Sequence, residues 1–158
     1  QIKGKTAILF GYSCFIGALE GGFKRSAANQ AKKIGEAIGM AFQLKDDILD
    51  YTAESSVLNK PVLADVVNGV YTGPLIFALE KDPDNKLHEL VKKGKKLTTA
   101  DLKEIDRLVK DKGGISDAEA MTVNYTDTAL ELLEKHFKHC PRYEIIKQMI
   151  NKLLQRQY

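Results

Sequence analysis

The sequence predicts an all-α fold, and three observations lead to that prediction. Apolar residues recur at the three- and four-residue spacing of a helix along most of the 158 residues. No segment keeps the two-residue alternation of a strand, and the turn dipeptide Asn68-Gly69 has no β-branched runs beside it. Glycine and proline fall between the periodic segments, where they commonly end helices.

The predicted helices follow one another between these breaks. The first covers residues 3–19 and ends at Gly21-Gly22, and the second and longest begins near Ser26, a suitable N-cap, and covers residues 26–51. After a polar loop, a short helix is predicted at residues 63–67. The next helix has Thr72 as its cap and Pro74 in its first turn. Four further helices are predicted at residues 85–93, 99–112, 116–139 and 142–155.

The composition is that of an ordinary globular chain, and its length fits one domain over residues 1–158. Hydrophobic residues make up 44% and charged residues 28%, and the net charge of +3 is too small to favour nucleic acid as a partner. No apolar run approaches the roughly 18–20 residues of a membrane span. Cys14 and Cys140 form no CxxC pair, so we expect free thiols and a cytoplasmic location.

The chemistry of the sequence is concentrated on the second predicted helix. Its apolar residues cover about half of the helical circumference, which predicts a mostly buried helix. These residues are Ile34, Ala37, Ile38, Ala41, Phe42, Leu44, Ile48 and Leu49. On the remaining face, Gln43, Asp46, Asp47 and Asp50 follow the i, i+3, i+4, i+7 spacing of one stripe. Clustered carboxylates repel one another, but Mg²⁺ accepts one or two of them together with phosphate oxygens, so we predict a magnesium site.

A solvated acidic surface is the alternative interpretation of this stripe. We favour the metal site because the rest of the helix is too apolar for the surface and because basic residues stand in loops on either side. An EF-hand is excluded, since Asp46-Asp47 has neither the alternating oxygen ligands nor the central glycine of a calcium loop.

Several stretches resemble, in order and spacing, motifs of the trans-isoprenyl diphosphate synthase family. Residues 39–51, GMAFQLKDDILDY, resemble its second aspartate-rich motif, which typically has G-x-A-F-Q-L-x-D-D-x-L-D. Residues 5–10, KTAILF, resemble its K-T-A-x-L-F segment, and the loop that starts at Lys60-Pro61 resembles G-K-P-x-x-x-D-x-x-x-G-K-x-T-L-P-L. The carboxyl-terminal stretch is also similar, so the resemblance covers the whole chain.

The resemblance implies the C-terminal part of the isoprenoid-synthase helical bundle and a chain-elongating prenyltransferase. In that reaction an allylic diphosphate ionises with the help of Mg²⁺, isopentenyl diphosphate adds to the allylic cation, and a proton is lost. Carried over by position, the metal ligands are Asp46, Asp47 and Asp50. The diphosphate-binding lysines are Lys5 and Lys60, and the oxygens that face the cation belong to Thr6 and Gln43. A homodimer is the usual state of the complete enzymes.

The matched residues also have ordinary structural interpretations. Thr6 is equally suited to capping the first helix, Phe42 to core packing, and Lys5 and Lys60 to solvated positions. The basic run at residues 92–96 is either a membrane-surface patch or, as we favour, a solvated helix end.

The sequence departs from the family pattern in the loop before Pro74. Asn59 stands in place of glycine and Val70 in place of lysine, so one phosphate contact is expected to be missing. Gly73 replaces the usual leucine, and we expect a looser turn there.

A first aspartate-rich motif is absent from these residues, because Asp82-Pro83-Asp84 is interrupted by proline. In the family that motif lies on an earlier helix and would precede Gln1. We therefore expect the 158-residue chain to be a C-terminal fragment that is inactive alone.

Two other functions stay open. A non-catalytic or regulatory subunit of a heteromeric prenyl synthase is less favoured, because such a subunit has little physical reason to retain costly clustered carboxylates. A terpene-cyclase-like enzyme usually mixes Asn/Asp, Ser/Thr and Glu in its second metal motif, whereas this motif is Asp-Asp-x-x-Asp.

Overall fold

The computed structural model describes residues 6–52 and 63–154, and no strand occurs in those two ranges. The predicted all-α fold is confirmed. The α-helices are α1 (Ile8–Glu20), α2 (Arg25–Thr52), α3 (Ala64–Val67), α4 (Gly73–Glu80), α5 (Lys86–Val91), α6 (Thr99–Asp111), α7 (Gly114–Phe137) and α8 (Tyr143–Leu154). A 3₁₀ turn at Gly94–Lys96 separates α5 from α6.

Most helix ends lie within two residues of their predicted positions, and α1 and α6 end at the glycines predicted to stop them. Gly22 has a φ of +82°, and the N–H of Phe23 donates to the carbonyl of Ala18 at 3.0 Å, which closes the end of α1. Asn85 was predicted inside α5 but has a φ of +54°, so α5 begins one residue later.

One predicted cap, at Ser26, is wrong, and one cap, at Thr98, was not predicted. Ser26 is not an N-cap, because α2 already begins at Arg25. Thr98 is an N-cap that the sequence analysis missed. Its Oγ1 accepts from the N–H of Asp101 at 3.2 Å, and the Asp101 carboxylate accepts from the N–H of Thr98 at 2.9 Å. This reciprocal pair is a capping box that fixes the start of α6.

The chain divides into two units, Gln1–Gln43 with Met121–Tyr158, and Leu44–Ala120. The core of the first unit joins α2 to α7 and α8, which confirms the predicted apolar face of α2. Its buried residues are Ile34, Ala37, Ile38, Ala41, Ala129, Leu133, Phe137, Tyr143 and Ile150. The core of the second unit joins the end of α2 to α3–α6. Its buried residues are Tyr51, Leu63, Val66, Leu75, Ala78, Leu87, Val91, Ile105, Leu108 and Val109.

In the first unit, α1 and α2 approach each other backbone to backbone. A Cβ at Gly35 would lie 2.4 Å from the carbonyl oxygen of Phe10, and a Cβ at Gly39 would lie 2.6 Å from the Cα of Ala7. Any larger residue at these two positions would push the helices apart. This close approach brings the chain just before α1 onto the middle of α2.

A buried carboxylate organises the second unit between α4 and α5. The Oδ2 of Asp82 accepts from the backbone N–H of His88 at 2.9 Å and lies 2.8 Å from its Nδ1, while Oδ1 lies 3.0 Å from the Nζ of Lys112. Burial by itself would raise the pKa of Asp82, but the bonds from His88 and Lys112 outweigh it and hold the pKa well below its usual range. Asp82 therefore has a structural role.

We expect Asp82→Ala to lower the free energy of unfolding by about 1–3 kcal/mol, because it removes the buried carboxylate that accepts the N–H of His88 and lies beside the ammonium of Lys112. Urea unfolding followed by circular dichroism at pH 7 measures the loss. Asp84→Ala is the matched control, since Asp84 also contacts Lys112, at 3.2 Å, but is 61% exposed and should matter little. Equal losses in the two variants would contradict the structural role of Asp82.

Candidate active site

Thr6 and Gln43 meet although 37 residues separate them in sequence. The Thr6 hydroxyl donates to the Oε1 of Gln43 at 2.7 Å, and both side chains are half-buried. Thr6 does not cap α1, because the N-cap position belongs to Ala7 and carries no side-chain cap bond. The structure thus brings together the two residues whose oxygens were predicted to face a cation.

The three aspartates of the predicted stripe have different environments. Asp46 is exposed and Asp50 is half-buried, whereas Asp47 is only 6% exposed. The Oδ2 of Asp47 accepts the backbone N–H of Gly73, the first residue of α4, at 2.9 Å. The sequence predicts that all three carboxylates lie on one face of α2. In the structure, the start of α4 contacts this face at Asp47, so Asp47 is buried while Asp46 stays exposed.

Gly73, where a looser turn is predicted, packs against α2. A Cβ at Gly73 would lie 2.7 Å from the Cδ2 of Leu44 and 3.6 Å from the Oδ2 of Asp47. A side chain at this position would therefore require the flexible end of Leu44 to move aside. Thr72 has the extended backbone of an N-cap but its hydroxyl makes no cap bond, and Asp47 supplies the acceptor instead.

Tyr51 lies one turn after Asp47 and was not predicted as part of the site. Its ring is buried, and its hydroxyl oxygen lies 3.5 Å from the Oγ1 of Thr72. Burial raises the pKa of Tyr51 to about 12, with the negative charges of Asp50, Asp106 and Asp47 adding to it and the bond to Thr72 opposing it. The i, i+4 spacing of Asp47 and Tyr51 is the sequence signal that was available for this pair.

The carboxylates of α2 have the chemistry of a partial donor set for Mg²⁺. Within residues 6–52 and 63–154, no three Asp, Glu, His or Cys side chains gather to hold a metal ion by themselves. Asp46 and Asp50 are four residues apart and therefore one turn apart along α2. Mg²⁺ commonly takes one or two carboxylates and completes its octahedron with water and phosphate oxygens, which suits this donor set.

Lys5, Lys60 and Asn59 lie outside the described residues. Val70 is exposed. The basic run at residues 92–96 includes two paired lysines: Lys92 contacts Glu89 at 2.6 Å and Lys93 contacts Asp101 at 2.7 Å. These pairs favour the solvated interpretation of the run over a membrane patch. None of the helices in the described part of the chain is long and apolar enough to cross a membrane.

Comparison with known proteins identifies the family. The model of the family described as "Polyprenyl synthetase" matches residues 1–109. The chain belongs to the polyprenyl synthetase family. This segment contains α1 to α5 and most of α6, and it includes the whole aspartate-rich helix.

Named relatives and a solved structure agree with this assignment. A probable mitochondrial hexaprenyl pyrophosphate synthase of Neurospora crassa is 38% identical over 130 residues, which are 82% of this chain and 28% of that protein. The heptaprenyl diphosphate synthase component 2 of Geobacillus stearothermophilus is 32% identical over 134 residues, 85% of this chain and 41% of that protein. The geranylgeranyl pyrophosphate synthase of Lactobacillus brevis, complexed with citrate, superposes with a TM-score of 0.84 at 37% identity.

The chain spans only part of the proteins it resembles. It covers 28% and 41% of the two relatives, and the superposition covers 98% of this chain but 49% of the Lactobacillus brevis chain. The resemblance to the isoprenoid-synthase fold is confirmed for this part of the bundle.

We expect Tyr51 to ionise only near pH 12, later than an unfolded tyrosine at about pH 10. Because the folded pKa is raised, the stabilisation is fully present below pH 10 and is lost as the pH rises towards 12, by roughly 2–3 kcal/mol. Tyr51→Phe should remove this alkaline loss, measured by urea unfolding between pH 9 and 11.5. The control is Tyr12→Phe at the exposed Tyr12, which should keep the loss. An unchanged pH profile in Tyr51→Phe would contradict the assignment.

Proposed function

We propose that this chain supplies the diphosphate-ionising part of a trans-prenyl diphosphate synthase, which joins an allylic diphosphate to isopentenyl diphosphate. The observation that carries the proposal is that every predicted site residue lies within the matched residues 1–109. Those residues are Lys5, Thr6, Gln43, Asp46, Asp47, Asp50 and Lys60. The polar contact between Thr6 and Gln43 and the carboxylates of α2 give these positions the chemistry that the reaction needs.

The bonded pair of Thr6 and Gln43 suits a developing allylic cation. Because the Thr6 hydroxyl donates its proton to Gln43, its own lone pairs are kept for a positive charge. The bond also holds both oxygens in place before the reaction starts. Oriented dipoles of this kind are worth several kcal/mol at a transition state, since they need no reorganisation as charge develops.

The charged residues act on the leaving group. Asp46 and Asp50 would hold Mg²⁺, and bound Mg²⁺ would neutralise the negative charge of the departing diphosphate. Lys5 and Lys60 are proposed to bind the diphosphate oxygens as compact point charges. The allylic carbon–oxygen bond breaks and the diphosphate leaves with the electron pair. The double bond of isopentenyl diphosphate then forms the new carbon–carbon bond, and a proton is released.

The proposal extends to the rest of the protein. We infer that residues 1–158 are the C-terminal part of one synthase domain, since α2 and α7 run unbroken through both units. Exposed apolar side chains on α1, among them Leu9 at 66% and Ile16 at 55%, offer a surface for further chain or a partner to cover. A homodimeric complete enzyme in the cytoplasm is proposed, although the Neurospora crassa relative is named as mitochondrial.

A subunit of a two-component synthase is the second candidate. The name of the Geobacillus stearothermophilus relative, "component 2", supports this possibility. In that case the chain would still bear the aspartate-rich helix, but turnover would need an unlike partner. Co-purification and mass determination of the complete protein distinguish a homodimer from such a pair.

We expect the purified 158-residue chain to give no prenyl elongation when mixed with dimethylallyl or geranyl diphosphate, isopentenyl diphosphate and Mg²⁺. The physical reason is that only one set of carboxylates is available to hold the metal against the leaving group. Extraction and chromatography of radiolabelled prenyl products measure the activity. The positive control is a synthase that carries both aspartate-rich motifs. Elongated product from the 158-residue chain alone would contradict the expectation.

We expect Asp46→Ala to lower kcat/KM of the complete synthase by roughly 100-fold or more, because it removes a carboxylate that holds the metal at the leaving group. Steady-state kinetics with varied Mg²⁺ should also show that more metal is needed for half-maximal activity. Asp127→Ala removes the same charge from an exposed position on α7 and is the matched control. Near-wild-type kinetics in Asp46→Ala would sink the proposed metal site.

A further inference from the structure

We propose that Asp47 is a positioning residue and not a metal ligand: with Tyr51 it anchors the start of α4 to α2, and this leaves Asp46 and Asp50 as the metal carboxylates of the motif. The inference rests on the proposed function and refines the metal-binding role of the aspartate-rich helix. It is carried by the different environments of three carboxylates that look equivalent in the sequence.

The side chain of Asp47 is bonded to the first residue of α4. Its Oδ2 lies 2.9 Å from the nitrogen of Gly73, and its side chain is buried, whereas Asp46 next to it is exposed. This bond and the burial of the side chain orient the Asp47 carboxylate towards the start of α4 rather than towards solvent. Asp46 is exposed, which leaves its carboxylate open to a ligand from solvent.

The start of α4 needs an acceptor that its own residues do not provide. The first N–H groups of a helix have no partner within the helix, and the N-cap side chain usually supplies one. Thr72 occupies the N-cap position without making that bond, and Pro74 has no N–H to be satisfied. A carboxylate at this end is also favoured by the partial positive charge of the helix N-terminus. Asp47 meets both requirements from α2.

The anchor has a second contact and a steric condition. Tyr51, one turn further along α2, places its buried hydroxyl 3.5 Å from the Oγ1 of Thr72. Gly73 packs beside Leu44, whose Cδ2 would lie 2.7 Å from a Cβ at Gly73 and would have to move to admit one. Thr72 and Gly73, which are adjacent at the start of α4, therefore contact Tyr51 and Asp47, which lie four residues apart on α2. A change at any of these positions should loosen the same segment.

Hydrogen–deuterium exchange of residues 72–80 in the complete synthase tests the anchor independently of activity. We expect Asp47→Ala to speed exchange by about ten- to a hundredfold, because a charge-assisted bond is lost. Asp47→Asn keeps an oxygen acceptor of the same shape and should restore most of the protection. Asp46→Ala is the matched control and should leave exchange unchanged. Unchanged exchange in Asp47→Ala would overturn the anchor.

The Mg²⁺ concentration for half-maximal activity tests whether Asp47 is a ligand. We expect Asp46→Asn to raise it at least about tenfold, as loss of a ligand should, and Asp47→Asn to change it less than twofold. An equal rise in Asp46→Asn and Asp47→Asn would show that Asp47 is a ligand. A synthase without Mg²⁺-dependent prenyl transfer would refute the proposed function, while the exchange result would still decide the anchor.

Discussion

Both cores depend on α2, a single helix of 28 residues that must bury apolar side chains along its whole length and still present charged groups. Its first part contributes Ile34, Ile38 and Ala41 to the core of one unit, and its end contributes Tyr51 to the core of the other. Burial of this apolar surface is the main stabilising term, at about 25 cal/mol per Å². Because the helix is held on its apolar side, the polar residues between these positions keep fixed places.

Close packing of the backbones of neighbouring helices brings polar side chains into contact with α2. Gly35 and Gly39 let α1 lie directly against α2, and this packing carries Thr6 to Gln43. At the start of α4, the N–H of Gly73 reaches Asp47. Gly35 and Gly39 are needed because a Cβ at either position would meet backbone atoms of the chain at α1, and not because of an unusual φ angle. The polar contacts are consequences of how near the helices come.

Electrostatics divide the acidic residues by role. Asp82 and Asp47 are buried and each accepts a backbone N–H, and the Oδ1 of Asp82 also lies 3.0 Å from the ammonium of Lys112. Asp46 is exposed and keeps its charge at the surface, which is where a metal with a phosphate ligand can reach it. The lysines of residues 92–96 contribute little net positive potential where they pair with neighbouring carboxylates. Burial, rather than residue type, distinguishes Asp47 and Asp82 from Asp46.

The sequence by itself determined the all-α class, nearly all helix positions and the family, because helical periodicity, glycine stops and the spacing of a motif are local properties. It also indicated Thr6 and Gln43, although only as a match by position. Tertiary structure decided which aspartates are accessible. The helical periodicity of α2 places Asp46, Asp47 and Asp50 on one face, but it does not predict which of them a neighbouring helix will cover. The approach of α4 buries Asp47. The carboxylate of Asp47, rather than the hydroxyl of Thr72, then accepts the N–H at the start of α4. Such a contact joins residues 26 positions apart, and no local pattern specifies it.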